Sequence, residues 1–270
     1  MPDRYLIIGN GAAGCTAAGT IRKADPDGAI TIVSDEPGPT YSRPLISYLL
    51  AGKVGPEKIL YRDEDFYSGN DVSRIVDRVE GIEPAAGRVA LAQGGEVDYD
   101  RLLWAAGARA KEPDFKGAEL EGVFTFRTLA DAEGILTLLN GSENAVVLGG
   151  GLVSVMAATA LALRGIKVTM VITSRQLFSQ LLDETSARMA EAALKEGGID
   201  IIFGNDIKQA SAAKGNKARV GQVVLNDGSE MAADIVVAGK GVVPNAEPLA
   251  AAGAEAGRGV AVDDHLATSL

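Results

Sequence analysis

Gly9, Gly11 and Gly14, in the run YLIIGNGAAG from Tyr5, have the spacing at which a polypeptide can wrap a diphosphate. Gly9 permits a tight turn, Gly11 lets the backbone approach a pyrophosphate, and Gly14 lets a helix pack closely on a strand. The ligand's negative charge would meet the free N–H groups that open the helix. About 20 residues beyond the glycines stand Asp35 and Glu36, where a carboxylate accepts the hydroxyls of a ribose. Gly149 and Gly151, in NAVVLGGGLVS from Asn144, repeat the theme, with the small residue Ser154 where a third glycine would fall. A glycine-rich turn with no ligand is the alternative reading, and the order strand, turn, helix, acid favours the dinucleotide.

These residues need parallel strands to carry the turns. Leu6, Ile7 and Ile8 are apolar enough for a buried parallel strand, and the Ala-rich stretch from Cys15 to Arg22 suits a helix packed against it. Ala29–Val33 is the expected second strand, with Asp35 and Glu36 beyond its end. After the Pro37-Gly38-Pro39 loop, Leu45–Leu50 is expected as a short helix, Glu57–Asp65 as a charged surface segment, and Asp71–Ile82 as one strand with its flanks. Gly87–Leu91 and Val97 form a hairpin about Gly94-Gly95, and Leu102–Ala106 a buried strand closed by Gly107. Ala108–Gly122 loses periodicity and is expected to hold a domain crossing.

The second glycine set is followed by a helix to Arg164, a strand Lys167–Ile172, a helix around Asp183–Glu196 and a strand Asp200–Phe203. GRVALAQGGEVDYDRLLWAAG from Gly87 also resembles GQVVLNDGSEMAADIVVAG from Gly221, so the chain reads as a duplication. The expected fold class is α/β with two Rossmann-like dinucleotide-binding domains, the second inserted in the first. Residues 1–112 and 242–270 would form one, residues 113–241 the other. Two such units in one chain suggest one bound flavin and one nicotinamide donor.

With 26 Lys and Arg against 36 Asp and Glu, a net charge of -10 and no basic block, the chain offers no surface for nucleic acid or an anionic membrane. No apolar run is long enough to span a bilayer, and no signal peptide is read at the start, so a cytoplasmic location is expected. The single cysteine, Cys15, excludes an intramolecular disulfide and a cysteine-based metal cage, as suits a reducing compartment. Following Gly14 on the packed helix face, Cys15 reads as a small buried hydrophobe. His265, the one histidine, lies in a polar VDDHL stretch and reads as a surface residue, with no metal site expected.

The segments IIGNGAAG, ITIVSDEP, TYSRPLISYLLAG, YDRLLWAAGARA, VFTFRTLADAEGI, VVLGGGLVS and AGKGVVPN resemble the FAD-dependent pyridine nucleotide oxidoreductases. The branch they resemble most holds rubredoxin reductases, ferredoxin reductases and the reductase part of assimilatory nitrite reductases. The resemblance implies that Gly9, Gly11, Ala12, Ala13 and Gly14 cradle the FAD pyrophosphate and that Asp35, with Glu36 beside it, takes the adenosine ribose. It implies further that Arg43 and Pro44 line the flavin side, that Val79 offers its backbone to the adenine, and that Ala106, Gly107 and Arg127 complete the pocket. For the second nucleotide the matched positions are Gly149, Gly151, Ser154 and Gly241. Hydride transfer from NADH or NADPH to FAD requires orientation and exclusion of water, with no protein acid, base or nucleophile. Disulfide-reducing relatives carry a cysteine just past the first acid or in the TYSRPL loop; neither place holds one here. The implied acceptor is a redox protein, of rubredoxin or ferredoxin type, or a partner subunit; an oligomer is compatible with the sequence.

Three features depart from that pattern, the first being the second glycine set, where Ser154 replaces the third glycine. Met156 stands where the branch has a glutamate. Ile172 stands where strand Lys167–Ile172 should end in a carboxylate for the NADH ribose, followed by Thr173, Ser174 and Arg175. Arg175 with the two hydroxyls could accept a 2′-phosphate and so favour NADPH, or the site could have decayed. The sequence also stops at Leu270, before the Gly-Asp turn whose aspartate holds the flavin's ribityl and phosphate region in relatives. The departures at Ser154, Met156 and Ile172 keep open a rival to the reductase, a flavin-binding electron-relay or assembly subunit with a degenerate NAD(P)H site.

Overall fold

Strands that are apolar throughout must be covered on both faces, and the chain meets this requirement twice. The computed structural model describes residues 2–270. In chain order the elements begin with β1 (Arg4–Ile8), α1 (Ala12–Ala24), β2 (Ala29–Ser34), α2 (Ile46–Leu50), α3 (Glu64–Gly69), β3 (Val72–Val76), β4 (Val79–Glu83), β5 (Arg88–Leu91), β6 (Glu96–Asp98), β7 (Arg101–Trp104) and β8 (Ala108–Ala110). There follow β9 (Val123–Phe124), α4 (Leu129–Leu138), β10 (Asn144–Leu148), α5 (Leu152–Leu163), β11 (Lys167–Ile172), α6 (Glu184–Glu196) and β12 (Ile199–Phe203). The chain ends with β13 (Ile207–Ala213), β14 (Asn216–Leu225), β15 (Glu230–Ala232), β16 (Ile235–Ala238), β17 (Val242–Pro244) and α7 (Glu247–Ala251). No helix of the described residues is long and apolar enough to cross a membrane.

The chain divides into two units, the first made of residues up to Ser42 with Leu60–Arg109 and Val243–Leu270. Its parallel sheet has the order β3-β2-β1-β7, and an antiparallel sheet β4-β5-β6 accompanies it. Alternation along β1 sends Leu6 and Ile8 into a core with Val79, Ile82, Val89 and Leu249, and Ile7 into a core with Cys15, Ala18, Ile32 and Tyr67. Tyr67 comes from α3, and Cys15 and Ala18 from α1, so small residues on α1 let it lie close to the sheet.

The second unit, Arg43–Ile59 with Ala110–Val242, has the parallel order β12-β11-β10-β16-β9 beside an antiparallel β13-β14-β15. Val146, Leu148, Val171 and Val236 face Val220, Val223 and Leu225 of β14 in its core. The two parallel sheets share their strand order and their bonding. Gly9 N donates to Val33 O and Gly149 N to Val171 O, both at 2.8 Å; Asp100 N donates to Arg4 O and Asp234 N to Asn144 O, both at 2.9 Å.

Three expectations are corrected. Residues 43–59 group with the second unit, because α2 packs on α4 and α5 and Arg164 of that unit donates to Leu50 O at 2.7 Å. Residues 110–112 and Val242 also fall in the second unit. The expected strand over residues 71–82 is two strands in two sheets. Buried Asp77 ends the first by turning its carboxylate onto Arg78 N at 2.7 Å and Gln93 N at 3.3 Å, which frees β4 to pair with β5. The segment expected to lose periodicity contains β8, which pairs with β17 in a two-stranded ribbon.

Candidate functional site

Among the described residues five helices have six or more residues, and they open in two ways. α3, α4 and α6 carry side-chain caps: Asp63 accepts from Phe66 N, Thr128 from Asp131 N, and Asp183 from Ser186 N. α1 and α5 start instead from Gly11 and Gly151, with no side-chain cap and no acid in the first turn. The first bonds at these two starts run from Cys15 N to Gly11 O and from Val155 N to Gly151 O, both at 3.0 Å. The amides of residues 11–14 and 151–154 therefore have no acceptor among the described residues, and the positive end of each helix dipole is left uncompensated.

The glycines separate by what surrounds them. Gly9 has φ +111°, and a β-carbon there would overlap Ala105 O; one on Gly14 would overlap Gly9 O. These two serve the protein's own packing. Gly11, with φ -99°, has an ordinary extended backbone and nothing within 4 Å of where its β-carbon would stand. Gly151, with φ -90°, is the same. Nothing in the chain demands glycine at 11 or 151, and a ligand lying against the backbone would. The residues present fit a diphosphate at each helix start.

The Ser154 substitution has a partner that sequence reading missed. Ser154 is fully buried, and its hydroxyl donates toward Leu148 O at 3.3 Å and Gly239 O at 3.2 Å. A β-carbon on Gly239 would overlap that hydroxyl oxygen. In the first unit the corresponding pair is Gly14 and Ala105, since Ala105 N donates to Ile8 O as Gly239 N donates to Leu148 O, both at 2.8 Å. Each unit thus holds one glycine and one side chain at this contact, on opposite partners.

Around the first helix start, Asn10 is the organising side chain. Its amide donates to Gly38 O at 3.2 Å, which ties the acid-bearing loop to the glycine turn, and its Oδ1 accepts from Tyr67 Oη at 2.8 Å and from Cys15 Sγ at 3.2 Å. Tyr67 Oη also accepts from Thr40 N at 3.0 Å. Burial pushes the Cys15 thiol above its ordinary pKa, and the Tyr67 phenol likewise, so both stay protonated at neutral pH. Asp35 is exposed and has no partner among the described residues, while Glu36 accepts from Tyr41 Oη at 2.5 Å. A ribose can thus be met by one free carboxylate and one already anchored.

The remaining expected residues fall in two groups. Val79 opens β4 and is buried; Ala106 and Gly107 follow β7 and are held by Asn245, whose side chain donates to Ala106 O at 2.9 Å and whose N–H donates to Gly107 O at 3.0 Å. Trp104 Nε1 donates to Asn245 O at 2.7 Å, making Asn245 a clamp on the end of β7. Arg43, Pro44 and Arg127 belong to the second unit, where Arg43 donates to Arg127 O at 3.0 Å and Arg127 N donates to Asp131 at 2.7 Å. Gly241 has φ +95° and accepts from Lys111 N at 3.0 Å. Met156 is partly exposed, Arg175 is exposed, and Ile172 is buried. His265 is exposed and Cys15 is buried, as read from the sequence.

Residues 3–270 match the family described as pyridine nucleotide-disulphide oxidoreductase. The chain belongs to this family. Its α/β fold is that of the FAD/NAD(P)-binding reductases. It is 33% identical over 98% of its length to the epsilon subunit of the NADH-dependent phenylglyoxylate dehydrogenase of Aromatoleum evansii, covering 62% of that subunit. It is 30% identical over 98% of its length to rubredoxin-NAD(+) reductase of Pseudomonas putida, covering 68%. Among solved structures, the ferredoxin reductase for the CYP199A2 system of Rhodopseudomonas palustris superposes with a TM-score of 0.92 at 31% identity, over 99% of this chain and 66% of that one. The chain thus spans a little under two thirds of the length of the first of these relatives. These 270 residues hold one cysteine and so form no disulfide among themselves.

Proposed function

We propose that the chain oxidises NADH or NADPH through FAD and passes the electrons to a redox protein of ferredoxin or rubredoxin type, or to a partner subunit. The observation that carries this reading is the pair of glycine-started, uncapped helices, each with four amides free to receive a diphosphate. FAD supplies the chemistry when bound, taking a hydride from the nicotinamide and releasing electrons singly.

In this reading the first unit holds FAD. The amides of Gly11, Ala12, Ala13 and Gly14 bind its diphosphate, Asp35 accepts the adenosine ribose hydroxyls, and Val79, Ala106 and Gly107 line the remainder of the pocket. Asn10 keeps the acid loop and the glycine turn at a fixed spacing through its bond to Gly38 O. The second unit takes the nicotinamide nucleotide at Gly149, Gly151 and Ser154, with Gly241 beyond. The family resemblance assigns Arg43, Pro44 and Arg127 to the flavin side. The family's disulfide-reducing members carry cysteines just past the first acid or in the TYSRPL loop; neither place holds one here, which favours an external acceptor. A single buried cysteine also suits a reducing, cytoplasmic compartment.

The test is anaerobic addition of NADH, then NADPH, to the flavin-loaded chain. Bleaching of the flavin band by either nucleotide supports the reductase. A yellow protein inert to both supports the relay subunit instead, the reading favoured by Ile172 and Met156 standing where the family resemblance expects carboxylates.

A further inference from the structure

The two acid-position turns, after β2 and after β11, carry opposite chemistry. Because Gly9 N bonds Val33 O and Gly149 N bonds Val171 O, residues 34, 35 and 36 correspond to 172, 173 and 174. Ser34, Asp35 and Glu36 are thereby replaced by Ile172, Thr173 and Ser174, with Arg175 following, so Thr173 rather than Ile172 is the residue opposite Asp35. Ile172 is buried with its side chain beneath Gly150, where an added β-carbon would come within 2.9 Å of it. The turn is held by its backbone: Asn205 N donates to Ile172 O and Gly204 N to Ser174 O, both at 3.3 Å, and Ser174 Oγ donates to Gln176 O at 2.7 Å. That leaves Thr173 and Arg175 exposed, and Arg175 without a hydrogen-bond or ion-pair partner among the described residues.

One carboxylate reaches this turn. Asp206 Oδ2 lies 3.5 Å from Thr173 Oγ1, but it also accepts from Lys240 Nζ at 2.7 Å, and Asp206 Oδ1 accepts from Ile207 N at 2.8 Å. Its charge is matched by the ammonium and its oxygens are engaged. Asp114, 3.7 Å from the same ammonium, is the second carboxylate of the group. The guanidinium of Arg175 is then the uncompensated charge on the turn.

A carboxylate at this position accepts a ribose 2′-hydroxyl and repels a 2′-phosphate; hydroxyls and a guanidinium do the reverse. Resting on the assignment of the nicotinamide nucleotide to the second unit, we infer that Arg175, with Thr173 and Ser174, receives the 2′-phosphate of NADPH and makes the chain prefer NADPH to NADH. The planar guanidinium can offer two parallel N–H donors to the phosphate, and Thr173 and Ser174 put two hydroxyls on the same backbone-held turn.

Calorimetric titration of the full chain with 2′,5′-ADP and with 5′-AMP at low salt reads this without turnover. The expected result is 2′,5′-ADP binding about tenfold or more tightly, with a preference that shrinks as salt rises. Arg175→Ala should weaken 2′,5′-ADP by about tenfold or more relative to its effect on 5′-AMP. Equal affinities, a preference for 5′-AMP, or an Arg175→Ala effect of the same size on both would overturn the inference while leaving the second unit a nucleotide site. Binding of neither compound would remove the nucleotide assignment of that unit and the inference with it.

Discussion

Gly239→Ala should destabilise the second unit, and Ser154→Gly should rescue it. A β-carbon added to Gly239 would overlap Ser154 Oγ and stand 3.2 Å from Ser154 Cβ and 3.3 Å from Leu148 O. Gly239 does not occupy the left-handed region, so its backbone accepts alanine and the cost is purely one of overpacking, about 2 kcal/mol. Ser154→Gly alone removes a buried hydroxyl whose acceptors sit at 3.3 and 3.2 Å. It also puts glycine in a helix, and the two effects together cost about 2 kcal/mol. In the double variant the overlap disappears and the new methyl occupies the space the serine leaves, giving the second unit the residue types that Gly14 and Ala105 have at the corresponding positions of the first. The pair should then cost about 1–2 kcal/mol, leaving a coupling of about 2–3 kcal/mol in the double-mutant cycle. At about 2–4 °C per kcal/mol for a unit of this size, Gly239→Ala alone lowers Tm by about 4–8 °C. Denaturant unfolding followed by far-ultraviolet circular dichroism on the four proteins measures the cycle. A Gly239→Ala protein within about 0.5 kcal/mol of the parent, or a double variant at the sum of the singles, refutes the reasoning.

Other expectations follow from the same geometry. Gly11→Ala should leave stability within about 0.5 kcal/mol of the parent, because open space surrounds its β-carbon, yet weaken FAD retention; Gly14→Ala should lower Tm outright by forcing α1 off β1, and the reverse pattern would sink the assignment of separate roles. Cys15 should react with a thiol reagent at neutral pH only as the protein unfolds, since burial both shields it and raises its pKa; prompt labelling of folded protein would contradict the structure. Asp100 is held at about 2, below the ordinary 3.8, chiefly by the side-chain hydrogen bond from Arg4. A depressed carboxylate stabilises the fold fully above its unfolded value and loses that contribution as pH falls through its folded one. The difference in Tm between the parent and Asp100→Asn should therefore be constant above pH 3.8 and close as pH falls toward about 2.

Local chemistry was legible where one segment settles its own structure. β1, its glycine turn and α1 were readable because apolar strand, turn and small-residue helix follow one another without a break, and α6 because Asp183 caps it. The repeat from Gly87 to Gly221 was readable as a hairpin running into a strand in each unit, and β5–β6 into β7 and β14–β15 into β16 have that form. α4 escaped notice although Thr128 and Asp131 form a reciprocal capping box that the sequence displays, and α3 although Asp63 stands at its start. Other features depend on residues far apart in the chain. Asp77 splits one apparent strand by bonding an amide 16 residues away, and the Gly239 that makes room for Ser154 lies 85 residues from it. Neither spacing carries a local signature. The acid-position turn of the second unit was legible in composition, but the neutralisation of Asp206 by Lys240, 34 residues on, was not.

The excursion of Arg43–Ile59 into the second unit bears on how this molecule can be dissected. A fragment cut at the obvious boundaries, from Ala110 to Val242, would keep every strand of its sheet and lose α2. Ile46, Leu49 and Leu50, all buried in the intact chain, would be missing from the surfaces of α4 and α5, and Arg164 would lose its acceptor at Leu50. Any autonomous version of this half would need that helix grafted back through a new linker, and a circular permutant opened in the 43–59 stretch would sever the same support.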